Sequence, residues 1–234
     1  MMVENWGFLL IDKPKDITSH DVVDRLRKIT GIKKIGHAGT LDPFATGLLI
    51  LGIGRPATKK LGYFLKLDKE YITTLRLGAT SNTFDSTGQI QFKKNIKKPT
   101  LNQIKQVLKQ FIGKTKQIPP AFSAKKIKGK KLYELARQGK ILDIKPQEIN
   151  IYKIQILSYK FPLLTIKVKC SSGTYIRSLV NDIGEKLNVG AYTAELRRTK
   201  IGQFSVKQAR KLEKINSQNW QNYLKIIDDK INKN

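Results

Sequence analysis

A glycine-rich stretch near the N-terminus constrains the fold most strongly: residues 36–47 read GHAGTLDPFATG, with three glycines and one proline in twelve residues. Glycine permits positive φ and proline fixes φ, so this stretch predicts a loop. Asp42 directly precedes Pro43, and a residue before proline is disfavoured in helical geometry. On residue chemistry alone, the simpler interpretation is an Asx turn at Asp42 and a surface or packed histidine at His37.

The charge balance indicates a polyanionic partner. The chain has 45 Lys and Arg against 18 Asp and Glu, a formal net charge of +27. High lysine content also favours solubility, which explains part of this excess. The N-terminus shows neither a basic amphipathic helix nor a lipidation signal, so nucleic acid is favoured over a membrane surface.

Cysteine content and hydropathy exclude several classes of protein. With Cys170 as its one cysteine, the chain cannot form an intrachain disulfide or a cysteine-cluster zinc site. No signal peptide or long apolar span is visible. The sequence therefore predicts a cytoplasmic protein without a metal, and its 234 residues fit one large domain.

The segments around the loop predict mixed helices and strands. Thr18 and Asp21 form a capping-box pattern before a helix that Gly31 ends. Residues 48–53 are an unbroken apolar run, typical of a strand buried on both faces. Further strands are predicted at 8–11, 71–77, 149–157, 164–170 and 191–204, and further helices after Pro56, with Leu61, Phe64 and Leu65 inward, and after Thr100.

Residues 118–131 break the apolar periodicity and are rich in lysine. This basic segment is either a flexible loop with no role or a clamp on a phosphate backbone. Farther along, Tyr175 and Arg177 follow a strand and a glycine turn and precede a predicted helix. A helix N-terminus is a good place to meet anions, although Arg177 could also pair with a surface carboxylate.

Seven motifs resemble those of the TruB-type tRNA pseudouridine synthases, and they occur in that family's order between about residues 6 and 204. Each motif is weak evidence, but seven in order are strong. They are IDKPK with TSHD (11–15, 18–21), GHAGTLDP with ATG (36–43, 45–47), KEY (69–71), TFDSTG (83–88), PPAFSA (119–124), GTYIRS (173–178) and LRRT (196–199).

The resemblance implies an α+β pseudouridine synthase fold: a long, mixed, mainly antiparallel sheet flanked by helices, with a basic RNA-binding cleft. It implies that uridine at position 55 in the T arm of tRNA is flipped out of its stack and isomerised to pseudouridine. The partner would be the tRNA T stem-loop. The enzyme would be a monomer that needs no membrane, no redox cofactor and no obligatory protein partner.

The same resemblance assigns three catalytic residues. Asp42 would attack C1′ of the ribose or C6 of the base, or stabilise the sugar cation. Arg177 would pair with this aspartate and keep it ionised and oriented. Tyr71 would stack on the flipped base, and its phenol could take part in proton removal.

The resemblance implies that further residues, in addition to Tyr71, bind the substrate. His37 would occupy the place that the base vacates, which offsets part of the cost of flipping. Tyr175 and Leu196 would line the uracil pocket, or be packing residues at its border. Lys13 would support the site.

The resemblance also predicts the domain organisation. Residues 1–205 would form the catalytic domain, with an RNA-clamping loop at about 118–145. Residues 206–234 would be a short tail in place of a full C-terminal RNA-binding domain of the PUA type. Asp16 stands where the family usually has glycine, and aspartate is among the few residues that tolerate left-handed backbone geometry.

Two other functions are compatible with a basic chain of this kind. A tRNA-binding folding chaperone with weak or no catalysis would use the same surface, but it gains little from a carboxylate facing RNA phosphates. A basic ribosomal or DNA-binding protein leaves residues 36–47 unexplained, and the chain has no helix-turn-helix or zinc-finger pattern.

Overall fold

The computed structural model describes residues 5–120, 126–127, 130–131 and 144–227. These residues form two compact units. We call 1–69 with 197–234 the first unit and 70–196 the second unit. The predicted α+β class and the mixed, mainly antiparallel sheet are confirmed, and the basic cleft stays a prediction.

The first unit is built around one long buried strand. This strand, β3 (Thr46–Ile53), pairs antiparallel with β1 (Gly7–Lys13) and with β2 (Ile35–Ala38), and parallel with the end of β12 (Ala191–Ile201). A short strand, β14, lies parallel to β1. The elements are β1 (Gly7–Lys13), α1 (Ser19–Thr30), β2 (Ile35–Ala38), β3 (Thr46–Ile53), α2 (Gly54–Lys66), the end of β12 (Ala191–Ile201), β13 (Phe204–Ser205) and β14 (Arg210–Lys211).

Alternate residues of β1 and β3 bury opposite faces of this sheet. One face packs against α1 through a cluster that includes Leu9, Leu51 and Val22. The other face packs against α2 through a cluster that includes Phe8, Ile50 and Phe64. Because helices cover both faces, residues 48–53 of β3 form an apolar run, as the sequence predicts.

Local signals at helix ends predict α1 well. The Thr18 side chain accepts from the Asp21 amide and the Asp21 side chain accepts from the Thr18 amide, which confirms the capping box. Gly31 ends the helix with a φ of 73°.

The prediction for α2 is partly wrong, because Leu65 is 47% exposed while Phe64 is buried.

The predicted loop is shorter than its sequence suggests. Residues 35–38 form β2, so His37 lies on a strand, opposite Leu51 of β3. The pairing with β3 overrides the turn propensity of Gly36, and the loop is reduced to residues 39–45. Asp16 has a φ of 67°, so it adopts the left-handed geometry that aspartate tolerates.

The second unit contains hydrogen-bonded strands in the order β12 (Ala191–Ile201), β4 (Lys69–Leu77), β11 (Leu163–Cys170), β10 (Gln147–Lys160) and β7 (Gly113–Gln117). The predicted alternation of residues 71–77 and the burial of Cys170 are confirmed. The elements are β4 (Lys69–Leu77), β5 (Ala79–Ser81), β6 (Ile90–Phe92), α3 (Leu101–Lys109), β7 (Gly113–Gln117), β8 (Lys126–Ile127), β9 (Lys130–Lys131), β10 (Gln147–Lys160), β11 (Leu163–Cys170) and α4 (Ile176–Lys186), with the start of β12.

Residues 206–227 belong to the first unit rather than trailing from it. They contain three short 3₁₀ turns and strand β14. Leu212, Ile215 and Trp220 are buried in the same cluster as α1. The absence of a further RNA-binding domain stays a prediction.

Of the predicted clamping loop at 118–145, the structure describes residues 118–120, 126–127, 130–131 and 144–145. The rest of this predicted loop lies outside the described residues. Residues 126–127 and 130–131 pair as a small antiparallel hairpin. Within the described part of the chain, no helix is long and apolar enough to cross a membrane.

Candidate active site

The loop at 39–45 holds Asp42 between two anchored peptides. On one side, the Ser19 hydroxyl accepts a hydrogen bond from the Leu41 amide at 2.9 Å and donates one to the Leu41 carbonyl at 3.2 Å. Ser19 is buried at the start of α1. Both backbone groups of the residue before Asp42 are therefore satisfied by one side chain.

On the other side of Asp42, Lys13 holds the Pro43 carbonyl. Its ammonium group donates to the carbonyls of Pro14 at 2.8 Å, Ile17 at 2.7 Å and Pro43 at 3.2 Å. These three bonds use all the donors of a lysine. The structure thus brings Lys13, which the sequence assigns a supporting role, to the loop of Asp42.

Burial and charge act against each other on Lys13. The side chain is fully buried, which lowers its pKa from 10.5 to about 8, while the negative charge of Asp42 acts in the opposite direction. Charged at neutral pH, the ammonium group stabilises the ionised form of Asp42 in return.

His37 is a neutral side chain on β2. Burial lowers its pKa, and the positive charge of Arg198 lowers it further. Its Nδ1 atom is buried and has no hydrogen-bond partner among the described residues. An uncharged imidazole with an unused ring nitrogen suits contact with a nucleobase better than with a phosphate.

In the second unit, Arg177 forms a buried ion pair with Asp85, a residue to which the sequence analysis gives no role. The guanidinium Nη1 lies 2.9 Å from the Asp85 carboxylate and 3.1 Å from the Thr83 carbonyl, to both of which it donates. Both side chains are about 5% exposed or less. The predicted pairing of Arg177 with Asp42 stays a prediction.

Asp85 is itself held by neighbouring threonines. Its Oδ1 atom accepts from the Thr83 hydroxyl at 2.7 Å, the Thr87 hydroxyl at 2.6 Å and the Thr87 amide at 2.9 Å. The sequence carried a local signal for these hydrogen bonds: in the TFDSTG motif, the aspartate has a threonine two residues away on each side. These bonds fix the carboxylate that faces Arg177.

The remaining predicted residues also lie in the second unit. Tyr175 occupies the N-cap position of α4. The Gln117 side chain binds its backbone through both amide atoms, at 2.8 and 3.0 Å. Tyr71 and Leu196 are buried on the neighbouring strands β4 and β12. The Thr73 hydroxyl donates to the Glu195 carbonyl at 2.8 Å, which joins these strands beside both residues.

Replacing Ser19 with alanine is expected to lower the free energy of unfolding by about 2 kcal/mol, because the Leu41 amide and carbonyl would be buried without partners. Urea unfolding followed by circular dichroism measures this loss. Ser178→Ala is the matched control: Ser178 is also buried but donates one bond, at 2.9 Å, to the carbonyl of the exposed Ile118. Equal losses in the two variants would contradict the anchoring role of Ser19.

The lowered pKa of Lys13 predicts a pH-dependent contribution to stability. Between pH 8 and 10.5 the folded chain has released the Lys13 proton and the unfolded chain has not, so unfolding takes up a proton. The stability of the wild type relative to Lys13→Met should therefore rise with pH across this window, by up to about 3 kcal/mol. Urea unfolding of both proteins from pH 7 to 10 tests this, and a difference that does not change with pH would refute it.

Two family models match adjacent parts of this chain. The model described as TruB family pseudouridylate synthase (N terminal domain) matches residues 27–176. The model described as tRNA pseudouridylate synthase B C-terminal domain matches residues 177–231.

Curated relatives named tRNA pseudouridine synthase B are similar over most of the chain. One from Protochlamydia amoebophila is 51% identical over 198 residues, which cover 85% of this chain and 75% of that protein. One from Thermosipho melanesiensis is 47% identical over 203 residues, which cover 87% of this chain and 66% of that protein.

Solved structures show the same fold. A chain in a Cbf5-Nop10-Gar1 complex has a TM-score of 0.71 and 31% identity, over 91% of this chain and 54% of that one. A chain in an H/ACA RNP bound to a substrate RNA containing 2′-deoxyuridine has a TM-score of 0.68 and 29% identity, over 91% of this chain and 53% of that one. This chain therefore spans about half the length of those solved chains.

Proposed function

The chain belongs to the TruB family of pseudouridylate synthases, and from that membership we propose that it isomerises uridine to pseudouridine at position 55, in the T arm of tRNA. The observation that carries the proposal is the match of both family models over residues 27–231. The anchored backbone on either side of Asp42 supports it.

The reaction rearranges one nucleotide without changing its composition. The bond between N1 and C1′ breaks, the freed uracil turns, and C5 bonds to C1′. The hydrogen on C5 leaves as a proton and N1 gains one, so no electrons enter or leave. The site must therefore supply a carboxylate for the sugar or the base, groups that move protons, and walls that retain the uracil.

Asp42 is the proposed catalytic carboxylate. It acts on C1′, on C6 or on the developing sugar cation. Support comes from its loop, in which Ser19 binds the preceding peptide and Lys13 binds the following carbonyl. Because the backbone is fixed on both sides of Asp42, its carboxylate has less orientational freedom to lose when it reacts.

The other proposed roles follow the family resemblance. Arg177 orients Asp42, and Tyr71 stacks on the flipped base and assists proton transfer. Neutral His37 fills the space that the base leaves, and Tyr175 and Leu196 contact the uracil. The buried Asp85 supports the role of Arg177, because it fixes one side of the guanidinium.

Electrostatics should dominate the binding of tRNA. Raising monovalent salt from 50 to 200 mM is expected to weaken binding at least about 100-fold, which corresponds to about four neutralised phosphates. The net charge of +27 is the physical reason. Filter binding across this range measures the slope, and a nearly flat dependence would show that the lysine excess does not serve RNA binding.

Release of tritium from C5 tests the proposed reaction. A tRNA transcript labelled with tritium at C5 of its uridines should release label equivalent to one uridine per molecule, because forming the bond from C5 to C1′ displaces that hydrogen. A transcript with cytidine in place of the target uridine is the matched control. Binding of the first transcript without release of label would instead favour an RNA chaperone.

A further inference from the structure

Arg198 is a buried cation for which the proposed mechanism has no use. It is 2% exposed and is the largest of the fully buried side chains. Arginine stays protonated in proteins, and removing its charge from water costs several kcal/mol unless its donors are satisfied. Its contacts therefore indicate what the protein gains from it.

These contacts join the two ends of the loop that carries Asp42. The Nε atom of Arg198 donates to the Leu48 carbonyl at 2.8 Å, and Nη2 donates to the Gly39 carbonyl at 2.9 Å. Gly39 is the first residue of the loop and Leu48 lies just beyond its end. One planar guanidinium thus sets the separation of the two strands from which the loop projects.

The backbone of Arg198 contacts the same loop. It pairs with Gly47 in the parallel bridge between β12 and β3. Gly47 has a φ of 104°, and a Cβ atom there would collide with the Arg198 backbone. Side chain and backbone together hold the base of the loop, while Ser19 and Lys13 hold the residues beside Asp42 at its tip.

We propose that Arg198 is a positioning residue for Asp42: by binding both ends of the loop, it holds the carboxylate in the orientation that the reaction needs. This inference rests on the proposed function. Arg198 does not touch the reacting atoms, so its loss should slow the chemical step and leave tRNA binding intact. A misplacement of about 1 Å is enough to cost about 100-fold in rate.

The test compares Arg198→Met and Arg198→Lys in single-turnover pseudouridine formation and in tRNA affinity. Methionine fills similar space without donors, whereas lysine can bind one of the two carbonyls. We expect the rate constant to fall about 100-fold in Arg198→Met and about 10-fold in Arg198→Lys, with dissociation constants within about threefold of the wild type. Ile201→Ala, at a buried position on the same strand, controls for lost stability and should keep its rate.

A second measurement does not depend on activity. The chain has two histidines, and His20 is exposed, so proton NMR can follow His37 with His20 as an internal reference. Removing the charge of Arg198 should raise the pKa of His37 in Arg198→Met, and Arg198→Lys should keep it low. If Arg198→Met does not fold, Arg198→Lys carries the kinetic test.

The outcomes separate the two proposals. Two results would overturn the role of Arg198 alone. The first is a normal rate in folded Arg198→Met, or in Arg198→Lys when the methionine variant does not fold. The other is a loss confined to tRNA affinity. An equal loss of rate in Ile201→Ala would also overturn it, because the effect would then be general destabilisation. A wild-type chain that binds tRNA without forming pseudouridine would overturn the proposed function and this inference with it.

Discussion

Replacing Asp42 with asparagine is expected to lower the single-turnover rate of pseudouridine formation by at least about 10⁴-fold, with tRNA affinity within about threefold. The amide has the same shape as the carboxylate but no charge, so it can neither attack nor stabilise a sugar cation. Ser19 and Lys13 bind the backbone on either side of residue 42, which keeps the loop in place. Rapid quenching with excess enzyme measures the rate.

Asp24→Asn is the control for the Asp42 variant. Asp24 lies on the surface of α1 and pairs with Arg27, so it is another carboxylate of the first unit but outside the loop. Its rate should match the wild type. An Asp42→Asn protein that retains a tenth or more of the wild-type rate would remove Asp42 from the chemistry.

The second large effect is expected for Asp85. Asp85→Ala should lower the free energy of unfolding by about 3 to 5 kcal/mol, because it withdraws a carboxylate from the buried Arg177 guanidinium. It also removes the acceptor of three hydrogen bonds from Thr83 and Thr87. Urea unfolding followed by far-ultraviolet circular dichroism reports this loss. Tryptophan fluorescence is unsuitable, since Trp6 and Trp220 both lie in the first unit.

The chain offers a matched exposed pair as the control. Asp24 and Arg27 are 2.8 Å apart, close to the 2.9 Å of Asp85 and Arg177, but their side chains are 48% and 39% exposed. Exposed pairs contribute about 0 to 1 kcal/mol, so Asp24→Ala should change stability little. Similar losses in both variants would show that burying the pair of Asp85 and Arg177 adds nothing to stability.

Local sequence signals predicted the elements whose causes are local. The capping box at Thr18 and Asp21 joins residues three apart, and the apolar run of β3 follows from burial on both faces. The left-handed geometry of Asp16 is one that its residue type tolerates. In each case the sequence signal lies within a few residues or within the element itself.

The contacts around Asp42 and those around Arg177 each join distant parts of the chain, and the sequence did not show them. Ser19 binds Leu41, 22 residues away, and Arg177 binds Asp85, 92 residues away. His37 was wrongly assigned to a loop because its strand depends on pairing with β3. Tertiary contacts of this kind override turn propensity, as they did at Gly36.

The most direct test of the central claim is to map pseudouridine by its carbodiimide adduct after incubating the purified chain with an unmodified tRNA transcript and with an isolated T-arm stem-loop. We expect product at the single target uridine in both RNAs, without added metal or nucleotide, and none with Asp42→Ala. Tight binding of both RNAs by the wild-type chain with no adduct at that uridine would contradict it.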